Sequence, residues 1–366
     1  MKKNIYSTKI KIIIMLFFII SLISIFTSLK ISSDKSIFIK QVIFYIIGIM
    51  ILFFSYKKKN DIFQYNLFLY ISLNIILLIL LFLGISINGS KCWIIIGPFS
   101  FQPSEFMKIS LIITISKILG KYKNKKSFKS EFTLLIKIVF ILLIPSVLTF
   151  LEPDTGVVII YFIITIGMLL YRGLNKKWYL FTIFILSIIL GSIAYLYFFN
   201  RELLLNILGN NIYYRLDRLL NWKDGSGYQL ENSLITISSS GLLGFGFNNV
   251  PLYFPEASTD FIFTTFSSNF GFMGDIILFM IFIIFDLTIL SIVKRKTKLE
   301  HRYFLVGVFI MICYQQIQNI SMTIGLLPIT GITLPFISYG GSSLLSYMFL
   351  FGLVLKISDE QFNYIN

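Results

Sequence analysis

The segment Pro255-Glu256-Ala257-Ser258-Thr259-Asp260-Phe261-Ile262-Phe263 sets a carboxylate directly ahead of an aromatic and aliphatic run. At the mouth of a membrane helix such a carboxylate meets the boundary between water and lipid. Partial desolvation there raises its pKa toward the range a general base needs. Composition alone does not rank Asp260 above its neighbours, because most interfacial acids are solvated or cap a helix. Arg215 and Arg218, with Lys223 close by, form a second group. Guanidinium forks match phosphate oxygens, and a spacing of three places both arginines on one face of a surface helix. On the residues alone, contact with lipid headgroups is the stronger reading of that stretch. Asp275 and Asp286 fall inside a long apolar run, eleven residues apart and so about 20° apart on one helical face. Acids inside a membrane are candidates for function, although burial against Lys108, Lys117 or Lys137 is the favoured expectation.

Some chemistry is excluded. His301 is the single histidine and Cys92 and Cys313 are the only cysteines, so a histidine triad, a histidine metal cluster and a disulfide framework are not expected. A net charge of +15 could suggest nucleic acid, but the lysines and arginines sit in short segments between apolar runs. There they set membrane topology and meet anionic lipid.

The elements that must position these residues are membrane helices. Apolar residues are 56% and charged residues 13% of the 366, a balance that could not cover the surface of a soluble fold. Apolar runs predict ten spanning helices at about 12–29, 41–56, 63–86, 105–119, 132–150, 156–171, 178–199, 264–292, 303–326 and 341–357. The first run follows Lys2, Lys3, Lys9 and Lys11 but lacks a small-residue cleavage site, so it reads as an uncleaved helix. With the N-terminus inside, the cytoplasmic segments carry 21 basic residues and the longer outer ones 8. The positive-inside rule therefore puts both termini in the cytoplasm of a multi-pass cytoplasmic-membrane protein. The expected architecture is all-α, a single polytopic domain over 1–366. A long extracytoplasmic loop, 200–263, lies between helices 7 and 8 and carries the candidate active-site residues. No pair of matched interrupted helices suggests an inverted-repeat transporter. The working face is the outer one, where the glycine-rich segments lie.

Five ordered motifs in this frame resemble the SEDS family (shape, elongation, division and sporulation). They are Trp93 with Gly97 and Phe101-Gln102-Pro103-Ser104-Glu105-Phe106-Met107-Lys108; Glu152-Pro153-Asp154-Thr155-Gly156; Gly227-Tyr228-Gln229 with Ser233, Gly241, Gly244 and Gly246; Pro255-Glu256 with Thr259 to Phe263; and Asn319 through Gly325 with Pro328, Gly331, Leu334-Pro335 and Ser338-Tyr339-Gly340-Gly341-Ser342. The segment Asn319 to Gly325 and the short termini lean toward the RodA branch.

The resemblance implies a peptidoglycan glycosyltransferase that polymerises lipid II, a disaccharide on undecaprenyl diphosphate, at the outer face of the cytoplasmic membrane. It implies Asp260 as the catalytic residue. Gln102, Glu105, Lys108, Asp154, Arg215, Arg218, Lys223, Glu256, Ser338 and Tyr339 are then expected to bind substrate. It also implies a class B penicillin-binding transpeptidase as partner, and it leaves a divalent cation, Mg or Mn, open. A lipid II flippase and a non-catalytic scaffold are the competing readings. Departures from the family pattern are Cys92, where an arginine is usual, Ser258 in place of histidine, Phe245 within a G-K-G-like turn, and Ser268-Asn269, where acids are usual.

Overall fold

A computed structural model describes residues 5–31, 34–58, 61–87, 90–97, 99–122, 128–220 and 227–365. The helices are α1 (Ile5–Ser28), α2 (Ser36–Lys57), α3 (Asn66–Leu83), α4 (Pro103–Lys121), α5 (Phe128–Leu151), α6 (Thr155–Arg172), α7 (Lys176–Phe199), α8 (Arg201–Leu220), α9 (Gly227–Ser239), α10 (Ile262–Arg295), α11 (Leu299–Thr323) and α12 (Gly341–Ile365). Among the described residues nine helices are long and apolar enough to cross a membrane. They present exposed large apolar side chains such as Phe68, Phe82, Phe140, Phe184 and Ile283, as lipid-facing surfaces must.

The tenth crossing helix is α4, whose 19 residues reach roughly 28 Å. It falls short on hydropathy because it is central rather than lipid-facing. Met107 to Ser116 is buried throughout, so its polar groups meet protein instead of hydrocarbon. Lys108 Nζ lies 2.7 Å from Glu105 Oε2. Lys117 donates to the Phe63 carbonyl at 2.6 Å and to Asn66 Oδ1 at 2.8 Å, and Lys137 to the Tyr122 hydroxyl at 3.2 Å. These partners correct the expected pairing of the three lysines with Asp275 and Asp286. Asp275 instead accepts the Ser267 hydroxyl at 2.8 Å.

Two features differ from the sequence reading. The stretch after α3 forms a small antiparallel sheet, β1 (Ile85–Ile87), β2 (Ser90–Ile96) and β3 (Phe99–Phe101), in the order β1-β2-β3. The long segment 200–263, expected as a loop with a surface helix around Arg215 and Arg218, carries two helices. It holds α8, which bends at Gly209 and packs on α7 through the Tyr197 hydroxyl donating to Asp217 at 2.6 Å, and it holds α9.

Helix α10 is also not continuous, because Gly271 breaks it at φ 60°, ψ −163°. The chain at 241–249 fills the break. Phe272 and Met273 donate their amides to the Gly241 and Leu242 carbonyls, each at 3.0 Å, and Phe245 donates to the Ser268 carbonyl at 2.8 Å. A Cβ on Gly271 would lie 2.3 Å from the Gly244 nitrogen, so this crossing admits only glycine. Ser268 and Asn269, the positions that depart from the family's acids, hold the same crossing. Ser268 Oγ donates to the Asn249 carbonyl at 2.6 Å, and Asn269 Nδ2 to Thr27 Oγ1 on α1 at 2.8 Å.

The aromatic core joins α1, α10 and α12 through Phe17, Phe285, Phe336 and Phe351, with ring centroids 5.0–6.0 Å apart. The first and last helices end together: Ser7 and Tyr56 both donate to Asp359 Oδ2, at 3.3 and 2.8 Å. The start of α4, the start of α6 and the Pro255–Phe261 turn meet at the opposite end of the bundle.

Candidate active site

A cavity of about 380 Å³ opens at that opposite end. Its wall takes Cys92 and Trp93 from β2, Gln102 and Glu105 from the start of α4, and Asp154 from the start of α6. Glu256 and Asp260 come from the turn before α10, and Tyr339 and Ser342 from the turn into α12. Four motifs far apart in sequence thus share one wall.

Local geometry explains each placement. Pro103 opens α4, where its missing N–H costs nothing, and Glu105 sits in the first turn against the helix dipole. Asp154 caps α6 by accepting the Val157 amide at 3.3 Å. It also accepts from Gln102 Nε2 at 2.7 Å and Ser104 Oγ at 3.2 Å, which ties α6 to α4. The glycine of that motif has a packing reason, since a Cβ on Gly156 would lie 2.5 Å from the Thr330 carbonyl oxygen.

The electrostatics are acidic. Burial and the nearby Glu256 carboxylate push Asp260 up to about 7, and burial with the neighbouring Glu105 pushes Asp154 up to about 6. Beside the cavity, Glu152 is fully buried, neither carboxylate oxygen has a hydrogen-bond partner among the described residues, and burial raises it to about 8. Cys92, at a position where the resemblance led to an arginine, contributes a thiol pushed by burial to about 12, neutral near pH 7.

Asp260 is held by its backbone. Each carbonyl from Pro255 to Asp260 accepts a hydrogen bond. Gln229 Nε2 donates to Pro255 at 3.2 Å, the Thr259 and Phe261 amides to Glu256 at 3.2 and 3.0 Å, and Thr265 Oγ1 to Ala257 at 2.7 Å. The Tyr339 amide donates to Ser258 at 2.8 Å, Ser338 Oγ to Thr259 at 2.6 Å, and Asn319 Nδ2 to Asp260 at 2.8 Å. Glu256 takes the left-handed conformation, φ 55°, and accepts the Thr259 hydroxyl at 2.6 Å.

Of the residues expected to bind substrate, Gln102, Glu105, Asp154, Glu256 and Tyr339 line the cavity together with Asp260. Lys108 does not: it is fully buried behind Glu105, its charge spent on that pair. Ser338 does not either, because its hydroxyl is engaged between the Thr259 carbonyl and the Leu334 amide. Both corrections share one cause: polar groups inside a bundle must first satisfy their own hydrogen bonds. Arg215 and Arg218 lie three apart on α8, and Lys223 lies outside the described residues. Sequence reasoning assigned no role to Asn319 or Gln229, although both stood in the quoted motifs.

Among the described residues the cavity carboxylates do not gather into a three-donor cluster. Among the described residues only Asp61, Glu300 and His301 bring three donor atoms within 4.8 Å of one another, and they lie at the other end of the bundle.

The fold and this cavity define a multi-pass membrane protein with a polar, carboxylate-lined site at one end of its helix bundle. The FtsW/RodA/SpoVE family of cell cycle proteins matches residues 3–363, and the chain belongs to it. It is 35% identical over 361 residues to a probable peptidoglycan glycosyltransferase FtsW of Wigglesworthia glossinidia brevipalpis, covering 93% of this chain and 89% of that one. It is 32% identical over 340 residues to the stage V sporulation protein E of Bacillus subtilis, covering 89% and 88% of the two chains. Among solved structures, it superposes at a TM-score of 0.79 and 22% identity on a chain from work described as structural coordination of polymerization and crosslinking by a peptidoglycan synthase complex, covering 96% and 97%. The rod shape determining protein RodA of Thermus thermophilus gives a TM-score of 0.69 at 21% identity, covering 96% of each chain.

Proposed function

We propose that this chain is a peptidoglycan glycosyltransferase that polymerises lipid II at the outer face of the cytoplasmic membrane, with Asp260 as general base. The observation that carries the reading is a carboxylate of raised pKa on a cavity wall, in a turn whose every carbonyl is engaged. In the reaction a sugar hydroxyl of one lipid II attacks the anomeric carbon of another. A carbon–oxygen bond forms, the bond to the diphosphate breaks, and the hydroxyl proton passes to the Asp260 carboxylate. Gln102, Asp154, Glu105 and Tyr339 supply hydrogen-bonding groups for sugar hydroxyls, and Trp93 an aromatic face. Four carboxylates on the wall repel a diphosphate, so its charge calls for cations, and Arg215, Arg218 and Lys223 are the residues assigned to it.

Within the family the chain reads as a division-type member: the relative at 35% identity carries the FtsW name, whereas the likeness to RodA at 21% identity speaks to the fold. A class B penicillin-binding transpeptidase is the expected partner, because polymer must be cross-linked and this chain has no motif for that step. The test is incubation of the purified chain with lipid II, with and without that partner, and separation of the products on a gel. A ladder of glycan is expected. Absence of polymer in both mixtures overturns the proposal and moves the weight to a flippase or a scaffold.

A further inference from the structure

The residues that hold the Asp260 turn are drawn from three distant segments, at Gln229, Asn319 and Ser338–Tyr339. Asn319 is fully buried at the end of α11, and its Nδ2 bridges two carbonyls, Asp260 and Ile332, each at 2.8 Å. Its Oδ1 is buried without a partner among the described residues, so the side chain keeps an orphaned acceptor to place its donor there. Ser338 donates to the Thr259 carbonyl and accepts the Leu334 amide, both within 2.8 Å. The next residue donates its amide to Ser258. Three successive carbonyls leading to the carboxylate are thus gripped from α11 and from the turn before α12. The bridged residue Ile332 belongs to the cavity wall, and a Cβ position on neighbouring Gly331 lies 3.6 Å from Asp260 Oδ2.

A backbone carbonyl on a turn with one residue at positive φ has cheap alternatives, and a carboxylate two bonds from that backbone follows its rotation. We propose that Asn319 and Ser338 are positioning residues: by fixing the Thr259 and Asp260 carbonyls they aim the Asp260 carboxylate into the cavity and lock it to the wall that receives the sugar. Neither touches substrate. Their loss therefore leaves binding nearly intact and misdirects the base, a fault that costs rate far more than affinity.

The inference rests on the glycosyltransferase reading, and its test separates the two. Initial rates of lipid II polymerisation are measured for the partner-bound native chain, Ser338→Ala, Ser338→Thr and Asn319→Asp over a range of lipid II concentrations. Hydrogen exchange of the 256–261 amides is followed in the same preparations. Ser338→Ala, which removes the donor, and Asn319→Asp, which leaves at most one donor for the two carbonyls that the amide bridges, are expected to lower kcat about tenfold to hundredfold with KM within about threefold. Ser338→Thr, which keeps a hydroxyl, recovers most of the rate. Exchange at 256–261 quickens in the first two and stays native-like in the third. Native kcat in Ser338→Ala, or a loss confined to KM, overturns the positioning role. If the native chain makes no polymer, the glycosyltransferase reading fails, and unchanged exchange in Ser338→Ala then overturns the clamp on its own. Should Asn319→Asp not fold, the Ala and Thr forms at 338 decide the matter.

Discussion

At the scale of the residue, burial sets the behaviour of the acids around the cavity. Among the described residues Glu152 has no hydrogen-bond partner for either oxygen, and burial pushes it up to about 8 against an ordinary value of 4.5. A carboxyl with a folded pKa above its unfolded one holds more protons in the folded state between those two values. Stability therefore falls as pH rises from about 4.5 to about 8. Glu152→Gln removes the ionisation while keeping the shape. It is expected to raise Tm at pH 8, with the gain shrinking to nothing below about pH 4, in thermal unfolding of the detergent-solubilised chain. An equal change at both pH values would contradict the account. The buried pair Glu105–Lys108 has a different logic, since each charge neutralises the other and the pair survives only intact.

At the scale of the element, the break in α10 is what admits the segment after α9 against its backbone at Ser268 to Met273. Gly271→Ala places a methyl 2.3 Å from the Gly244 nitrogen on a backbone at φ 60°. The substitution is expected to lower Tm and reduce activity, whereas Gly191→Ala in α7, where nothing lies within 4 Å, leaves both unchanged. Equal melting temperatures for the two variants would contradict the crossing. The sequence reading ran straight through this break as one span, 264–292, because apolar content carries no record of a single φ angle. It likewise missed β1–β3, whose strands of 3 to 7 residues are too short for period-two alternation to stand out. Helix positions were legible because the lipid solvent demands about 20 apolar residues per crossing. The members of the cavity wall were legible through the resemblance. The tasks of Ser338, Lys108 and Asn319 were not, because each is decided by a partner 3 to 79 residues away that spacing does not reveal.

At the scale of the whole molecule, the shared end of α1 and α12 and the opposite placement of the cavity fit an even number of crossings. The charge pattern leads to the expectation that the terminal end faces the cytoplasm. Single cysteines at Lys298 and Tyr253, in a chain with Cys92 and Cys313 replaced, test that assignment in intact spheroplasts. An impermeant maleimide is expected to label the cysteine at 253 and to spare the one at 298; the reverse pattern would invert the topology and place the cavity on the wrong side for lipid II.

The central claim, that Asp260 accepts the proton in glycan polymerisation, is tested most directly by comparing the native chain with Asp260→Asn across pH 5 to 9, partner bound and lipid II saturating. Asparagine keeps the size and hydrogen-bonding shape and cannot take a proton. The account predicts a native rate that climbs with pH through about 7, where the Asp260 carboxyl loses its proton, and a variant with no polymer at any pH. Polymer from Asp260→Asn at a rate near the native one would contradict it.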